Sequence, residues 1–147
     1  MAQVFNQWEG IGPGRYQGTA PGRVQSYCRV KADATRISAV IEVPDGEWSG
    51  GLVLHHEDGK NYTIACVRSG KRVNIQARRA GKASQLGSLP CPAAKTPGRL
   101  HVEAVREGAE VVFLVEGTEV CRFELPGGTL GLAIEGGRLR FSEVTWK

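Results

Sequence analysis

Two histidines and two acids stand in an unbroken run, His55-His56-Glu57-Asp58, inside the stretch GGLVLHHEDGKNYTIACVRSGKRVNIQARR, residues 50–79. Imidazoles and carboxylates are metal ligands. Together with neighbouring amides they are also donors and acceptors for a hydroxyl-bearing ligand. The third reading is that the run simply ends a strand. Zinc-type chemistry is not expected: Cys28, Cys66, Cys91 and Cys121 are scattered, with no CxxC or HxxxH spacing. Three of the four cysteines fall within apparent strands, where a thiol behaves as a small buried hydrophobe. One disulfide stays open in an exported protein, although sequence does not pair the cysteines. Asp45, Glu47, Glu57, Asp58 and Asn61 are near enough in sequence to suggest calcium, but they lack EF-hand spacing. The expectation is therefore no cofactor, with calcium as the minor alternative. No Ser-His-Asp or Cys-His arrangement is indicated. His101 alternates with Leu100 and Val102, which suits an outward strand position. No glycine-rich loop sits between a strand and a helix, as a phosphate loop would require.

The elements that must carry these residues read as β throughout. Short runs rich in Val, Ile, Thr and Leu are broken by Gly, Pro or Asp, and no window of helical length holds a 3.6-residue apolar period. Strands are predicted at 23–31, 35–43, 51–57, 60–68, 71–79, 83–87, 98–106, 110–116, 119–125, 129–135 and 138–146. A short helical turn is placed near Pro92–Lys95. The echo of EGAEVVFLV and EGTEVCRFE suits two successive hairpins, with Gly117 supplying the positive φ of a tight turn. Many strands with tight turns imply two packed sheets or a closed barrel. The 147 residues fit one domain, 1–147, and 41% apolar with 23% charged is ordinary for a globular chain.

Two turns set which side chains share a face. Asp58-Gly59 predicts a two-residue hairpin that pairs Glu57 with Lys60, His56 with Asn61, His55 with Tyr62 and Val53 with Ile64. Ser69-Gly70 predicts a second, pairing Cys66 with Val73, Ile64 with Ile75 and Asn61 with Arg78. Because side chains alternate with period two, a slip of one residue exchanges the faces. On this register Val53, His55, Tyr62, Ile64, Cys66, Val73, Ile75 and Ala77 form the core face. Leu52, Leu54, His56, Asn61, Thr63, Ala65, Arg72, Asn74, Gln76 and Arg78 form the other. The neighbouring histidines then point to opposite faces and do not share a metal. His55 reads as a core histidine.

Lys+Arg 19 against Asp+Glu 15 makes the chain mildly basic, +4 with a pI near 9.0. Part of that charge lies in RSGKRVNIQARRAGK, residues 68–82, which reads either as a solvated sheet face or as an attractor of phosphates or acidic polysaccharide. Nucleic acid is not expected as a partner. No apolar run is long enough for a helical membrane span. The opening MAQVFNQWEG has neither a basic n-region nor an apolar h-region, so the expectation is a cytoplasmic protein or a domain of a secreted one.

The order of these features resembles the concanavalin A-like lectin/glucanase superfamily over about residues 24–146. GGLVLHHEDGKNYTIACV is similar to that family's strand pair, a Gly-Gly-Leu strand turning at an acid into an Asn-Tyr strand. GRLHVEAVREGAEVVFLVEGTEV is similar to its hairpin with an acidic-Gly turn. GTLGLAIEGGRLRFSEVTW is similar to its terminal Gly-x-x-Gly-Leu strand and Phe-Asp-Asn-Val. The laminin-G-like and keto-disaccharide-hydrolase-like branches are the nearest. The resemblance implies an all-β fold, an antiparallel jelly-roll sandwich of two curved sheets, whose concave sheet commonly binds sugar. His56, Asn61, Thr63, Asn74, Gln76 and Arg78 would line that concavity. Leu52 and Leu54 would be an apolar floor or lie beneath the N-terminal segment. Two departures stand out. The terminal motif reads Phe141-Ser142-Glu143-Val144, which removes the family's Asp. No Glu-x-Asp-x-x-Glu or Glu-x-Asp-x-Glu strand exists.

Sugar recognition uses planar polar side chains for hydroxyl pairs and an aromatic face for the apolar side of the ring. Trp48, in PDGEWSGG, would supply that aromatic from a loop, or else anchor the loop on the sandwich rim. Trp8 and Trp146 read as packing residues. Retaining glycoside hydrolysis needs two carboxyl groups about 5 Å apart. The nearest acidic groupings, Glu57-Asp58 and Glu116 with Glu119, sit at turns. The leading expectation is a non-catalytic carbohydrate-binding module whose partner is an oligo- or polysaccharide. The alternatives are a glycan-processing hydrolase domain of the keto-disaccharide type and a protein-interaction sandwich.

Overall fold

The computed structural model describes residues 7–147. The opening residues 1–6, part of the stretch read for a leader, lie outside them. Eleven strands follow one another: β1 (Trp8–Gly12), β2 (Arg15–Arg29), β3 (Arg36–Glu42), β4 (Ser49–Asp58), β5 (Asn61–Arg68), β6 (Arg72–Arg79), β7 (Lys82–Pro90), β8 (Arg99–Glu107), β9 (Glu110–Val115), β10 (Thr118–Glu124) and β11 (Gly131–Trp146). No residue among those described is helical, so the predicted turn near Pro92–Lys95 is not a helix. The chain turns instead at Pro97–Gly98, where Gly98 takes a φ of 75°.

All pairing is antiparallel, and two long strands organise it. The first part of β11 lies between β2 and β4, with Leu132 opposite both Cys28 and Leu52. Its second part lies between β2 and β3, with Phe141 opposite both Tyr16 and Ile41. The β2–β11 ribbon therefore belongs to two layers. One layer continues through β4, β5, β6 and β7, the other through β3, β8, β9 and β10. β1 pairs along the first part of β2.

The bend has a local cause. Gly136 and Gly137 have φ of 75° and 71°, conformations that L side chains resist, and the register slips between Glu135 and Gly137. Opposite them, residues 21–24 of β2 leave the ladder at Pro21-Gly22, a proline placed where it owes no ladder hydrogen bond. The sequence reading split β11 in two at these glycines and missed β1 and the first half of β2. Gly-Gly signals an interruption of straight strand. Whether that is a loop or a corner depends on the partner strand.

Both layers contribute to one core. It joins Leu52, Leu54, Ala65, Val67, Val73 and Ile75 with Ile37, Ile41, Leu100, Val102, Phe113 and Phe141. Trp8 seals one edge, donating its indole N–H to Ser26 Oγ at 2.8 Å and tilting on Phe141 with centroids 5.8 Å apart. All four cysteines are free thiols. Cys28, Cys66 and Cys121 are buried, and burial pushes the thiols of Cys28 and Cys121 up to about 12, which keeps them protonated and inert.

The two decisive turns differ from expectation. Asp58 Oδ1 accepts the Lys60 N–H at 2.8 Å, so the turn is Gly59-Lys60 and Asp58 pairs with Asn61. The ladder bulges twice on β4, setting His55 opposite Thr63 and His56 opposite Tyr62, while Val53 keeps Ile64. At the next turn Ser69 is drawn into hydrogen bonds with Trp48, its N–H donating to the Trp48 carbonyl at 2.8 Å. Lys71 then joins the loop, Arg68 faces Arg72, and Cys66 faces Asn74 instead of Val73. In contrast, Glu116-Gly117 makes the expected two-residue turn, with φ of 52° and 78° and Val115 opposite Thr118.

Candidate functional site

The corrected register redistributes the faces of β4, β5 and β6. Thr63, Ala65 and Val67 point inward with Val73, Ile75 and Ala77, whereas Tyr62, Ile64 and Cys66 point outward with Asn74, Gln76 and Arg78. Leu52 and Leu54, which sat awkwardly on the polar face in the sequence reading, belong to the main core. Val53, Tyr62, Ile64 and Cys66, read as core, join Tyr27 and Ala133 in a second apolar cluster on the outward face.

That cluster is the floor of a site. Across β11 and β4 the outward positions near Tyr27 are Gly131, Ala133 and Gly51. These small residues let the Tyr27 ring lie across β11 and reach His56, with centroids 4.8 Å apart. Tyr62 lies 5.2 Å from Tyr27 and stacks on His56 at 6.1 Å and 18°. Three aromatic rings from three strands thus sit together.

Polar groups surround them. Arg29 Nη1 lies 3.4 Å from His56 Nδ1, and His56 Nε2 lies 3.0 Å from the Tyr27 hydroxyl. A guanidinium only donates, so Nδ1 is the acceptor and Nε2 carries the proton that goes to Tyr27. Tyr62 donates its hydroxyl to Gln25 Oε1 at 2.6 Å, and Gln25 Nε2 donates in turn to Gln76 Oε1. Arg78 Nη1 donates to the Gly81 carbonyl at 2.8 Å. The Asn74 amide, although buried, has no hydrogen-bond partner among the described residues and remains available.

Burial, with the Arg29 charge beside it, pushes the His56 imidazole below its ordinary value of 6.5. The sign of the stability effect follows. In the window between the lowered folded value and 6.5 the unfolded chain binds more protons, so acidification through that window destabilises the fold. The melting temperature should fall as the pH is lowered through 6.5, and less steeply in His56→Gln, as read by a melting series over pH. Equal slopes in the two proteins would remove His56 as the cause. The Lys60 N–H and the Asn61 amide hold the Asp58 carboxyl below 3.8, and its charge partly offsets the lowering at His56.

Of the residues singled out in the sequence, His56, Asn74, Gln76 and Arg78 are brought together on this face. Thr63 is not: it is fully buried on the inner side, its hydroxyl 3.5 Å from His55 Nδ1. Asn61 braces the hairpin, donating to Asp58 and accepting the Ala80 N–H. Trp48 packs against the main core beside the Ser69 turn, as a loop anchor. His55 is a core histidine as expected, with Thr63 opposite instead of Tyr62 and Glu57 Oε1 3.0 Å from its Nε2. Sequence reasoning missed Gln25, Tyr27 and Arg29. Their alternation along one strand was visible, but their pairing with β11, about a hundred residues later, was not.

Glu135, on β11, accepts from Ser49 Oγ at 3.1 Å and lies 3.8 Å from Arg68 Nη2, while Glu116 and Glu119, at the β9–β10 hairpin of the other layer, engage the Lys95 N–H and Arg122. Among the described residues no three His, Cys, Asp or Glu side chains converge to hold a metal. A cavity of ≈ 470 Å³ adjoins this site at Arg29 and is lined also by Tyr16, Cys28, Leu132, Val144 and Trp146.

The fold is an antiparallel β-sandwich of the jelly-roll kind. Among solved structures the chain is similar to the carbohydrate-binding module CBM66 from Bacillus subtilis, with a TM-score of 0.71 and 20% identity over 96% of this chain and 95% of that one. It is similar also to sheep galectin-11 in complex with glycerol, at a TM-score of 0.60 and 14% identity over 88% and 100% of the two chains. The GH43 protein BlXynB from Bacillus licheniformis matches at a TM-score of 0.61 and 20% identity, over 92% of this chain and 33% of that one. At these identities the likeness is one of fold. No protein-family model matches the chain, and no curated protein matches it by sequence.

Proposed function

We propose that this chain is a non-catalytic carbohydrate-binding module, and that its site is the outward face of the β2–β11–β4–β5–β6–β7 layer. The observation that carries the reading is the Tyr27–His56–Tyr62 cluster, ringed by Asn74, Gln76, Arg29 and Arg78. Aromatic faces accept the C–H side of a pyranose or furanose ring, and planar amides and guanidiniums match its hydroxyl pairs. The donors stand on paired strands, so little conformational freedom is lost on binding. The CBM66 and galectin structures, similar in fold, favour the same reading. The engagement of Glu135 and Asp58 in structural hydrogen bonds favours binding over hydrolysis.

A glycan array of the purified protein, run with calcium and again with chelator, tests this. Binding of one sugar class without turnover is expected, and it should persist in chelator. In Asn74→Ala, a change that breaks no hydrogen bond of the fold, affinity should fall up to about tenfold, the worth of one or two ligand hydrogen bonds. Turnover of the bound glycan would favour the hydrolase alternative. A blank array, or a glycan affinity unchanged in Asn74→Ala, His56→Ala and Arg78→Ala proteins that melt normally, would overturn the site.

A further inference from the structure

Resting on that carbohydrate reading, we propose that the sugar is an acidic one, a uronate-containing oligosaccharide whose carboxylate is held by Arg29 and Arg78. On this face Arg68 pairs with Glu135. Arg29 and Arg78, both half-buried, have no carboxylate partner among the described residues, and the exposed Arg72, held by Ser88, has none either. Arg29 Nη1 reaches only the imidazole acceptor of His56, and its buried Nε has no hydrogen-bond partner in the described structure. Arg78 is held by one backbone carbonyl. Arg29 reaches His56, which meets the Tyr27 hydroxyl, and Arg78 stands opposite Tyr62, whose ring lies 5.2 Å from Tyr27, so both arginines border one aromatic cluster, on which the Asp58 carboxylate also acts.

A half-buried guanidinium without a counter-charge is costly, and the cost is relieved when an anion arrives. The planar fork of arginine matches the two oxygens of a carboxylate. The neighbouring His56 does not supply that anion. It is a neutral acceptor on its Arg29 side, and the exposed Asp58 carboxylate, hydrogen-bonded to Lys60 and Asn61, forms an ion pair with neither arginine. The sugar ring would lie over Tyr27 and Tyr62 with its carboxylate turned toward the arginines, and its hydroxyls within reach of Asn74 and Gln76.

The test is calorimetric titration with uronate oligosaccharides (galacturonate, glucuronate, and mannuronate with guluronate), each beside its carboxyl-reduced neutral counterpart. At least one acidic oligomer should bind about tenfold or more tightly than its neutral twin, and the preference should weaken with salt. In Arg78→Gln that ratio should fall toward one, and Arg78→Lys should keep part of it. Arg29→Gln, with its melting temperature measured alongside, is the second variant. If acid and neutral twins bind alike, or if only neutral or only sulfated sugars bind, the carboxylate inference is wrong and the carbohydrate reading stands. If no glycan binds at all, both fail.

Discussion

Gly51→Ala is expected to cost the fold more than about 3 kcal/mol, or to prevent folding altogether. A Cβ built at Gly51 collides with the Ala65 carbonyl oxygen and comes within 3.0 Å of its carbon and 3.1 Å of Cys66 Cα. All three are backbone atoms of the neighbouring strand, so no rotamer change makes room, and the β4–β5 ladder must open at the centre of its sheet. Two other glycines calibrate the effect. At Gly50 the first obstacle is Leu139 Cδ2, the end of a side chain that can move, so Gly50→Ala should be milder. At Gly59 nothing lies within 4 Å, so Gly59→Ala should be nearly neutral. Urea denaturation of the three variants gives the ranking. A midpoint for Gly51→Ala matching wild type would mean that β4 and β5 do not approach as described. The glycine also matters for the site, because it is one of the small residues between Tyr27 and the strands that carry Tyr62 and Asn74.

Phe141→Ala should cost about 3–5 kcal/mol, the usual range for emptying a buried phenylalanine site. Phe141 is fully buried on the second part of β11, between Tyr16 of β2 and Ile41 of β3, with the Trp8 ring against it. Its neighbours are held by ladders on both sides, so the cavity cannot collapse easily. Typical domains hold about 5–15 kcal/mol in reserve, so the variant should be marginal at physiological temperature. Denaturant unfolding followed by Trp fluorescence checks this, with the environment of Trp8 as local reporter. A loss below about 1 kcal/mol would place Phe141 outside the core.

Much of the fold was legible because it rests on local patterns. Runs of β-branched residues between Gly, Pro and Asp marked nearly every strand. Glu116-Gly117 gave its hairpin outright, since two consecutive residues must take positive φ there and the sequence offers a glycine. The site was only half legible. His56 on the opposite face from His55, and the polar run Asn74, Gln76, Arg78, follow from period-two alternation alone. The companions from β5 came out inverted. Two local changes decide that exchange: the β4 bulge between Val53 and His55 sets His56 opposite Tyr62, and Lys71 enters the next turn, where Ser69 is bound to Trp48, twenty-one residues away, and sets Cys66 opposite Asn74.

The sequence by itself determined an all-β sandwich, the hairpin order of its consecutive strands, and a polar strand bearing arginine and amides. These depend on interactions between residues near one another in the chain, where propensity and alternation act directly. Tertiary structure decided what lies beside that polar strand. Tyr27 and Arg29 reach His56 only because β2 and the distant β11 pair and bend together at Pro21-Gly22 and Gly136-Gly137. Pairing between distant strands is selected by the burial of whole faces, a property of the assembled sheets that no short stretch of sequence carries.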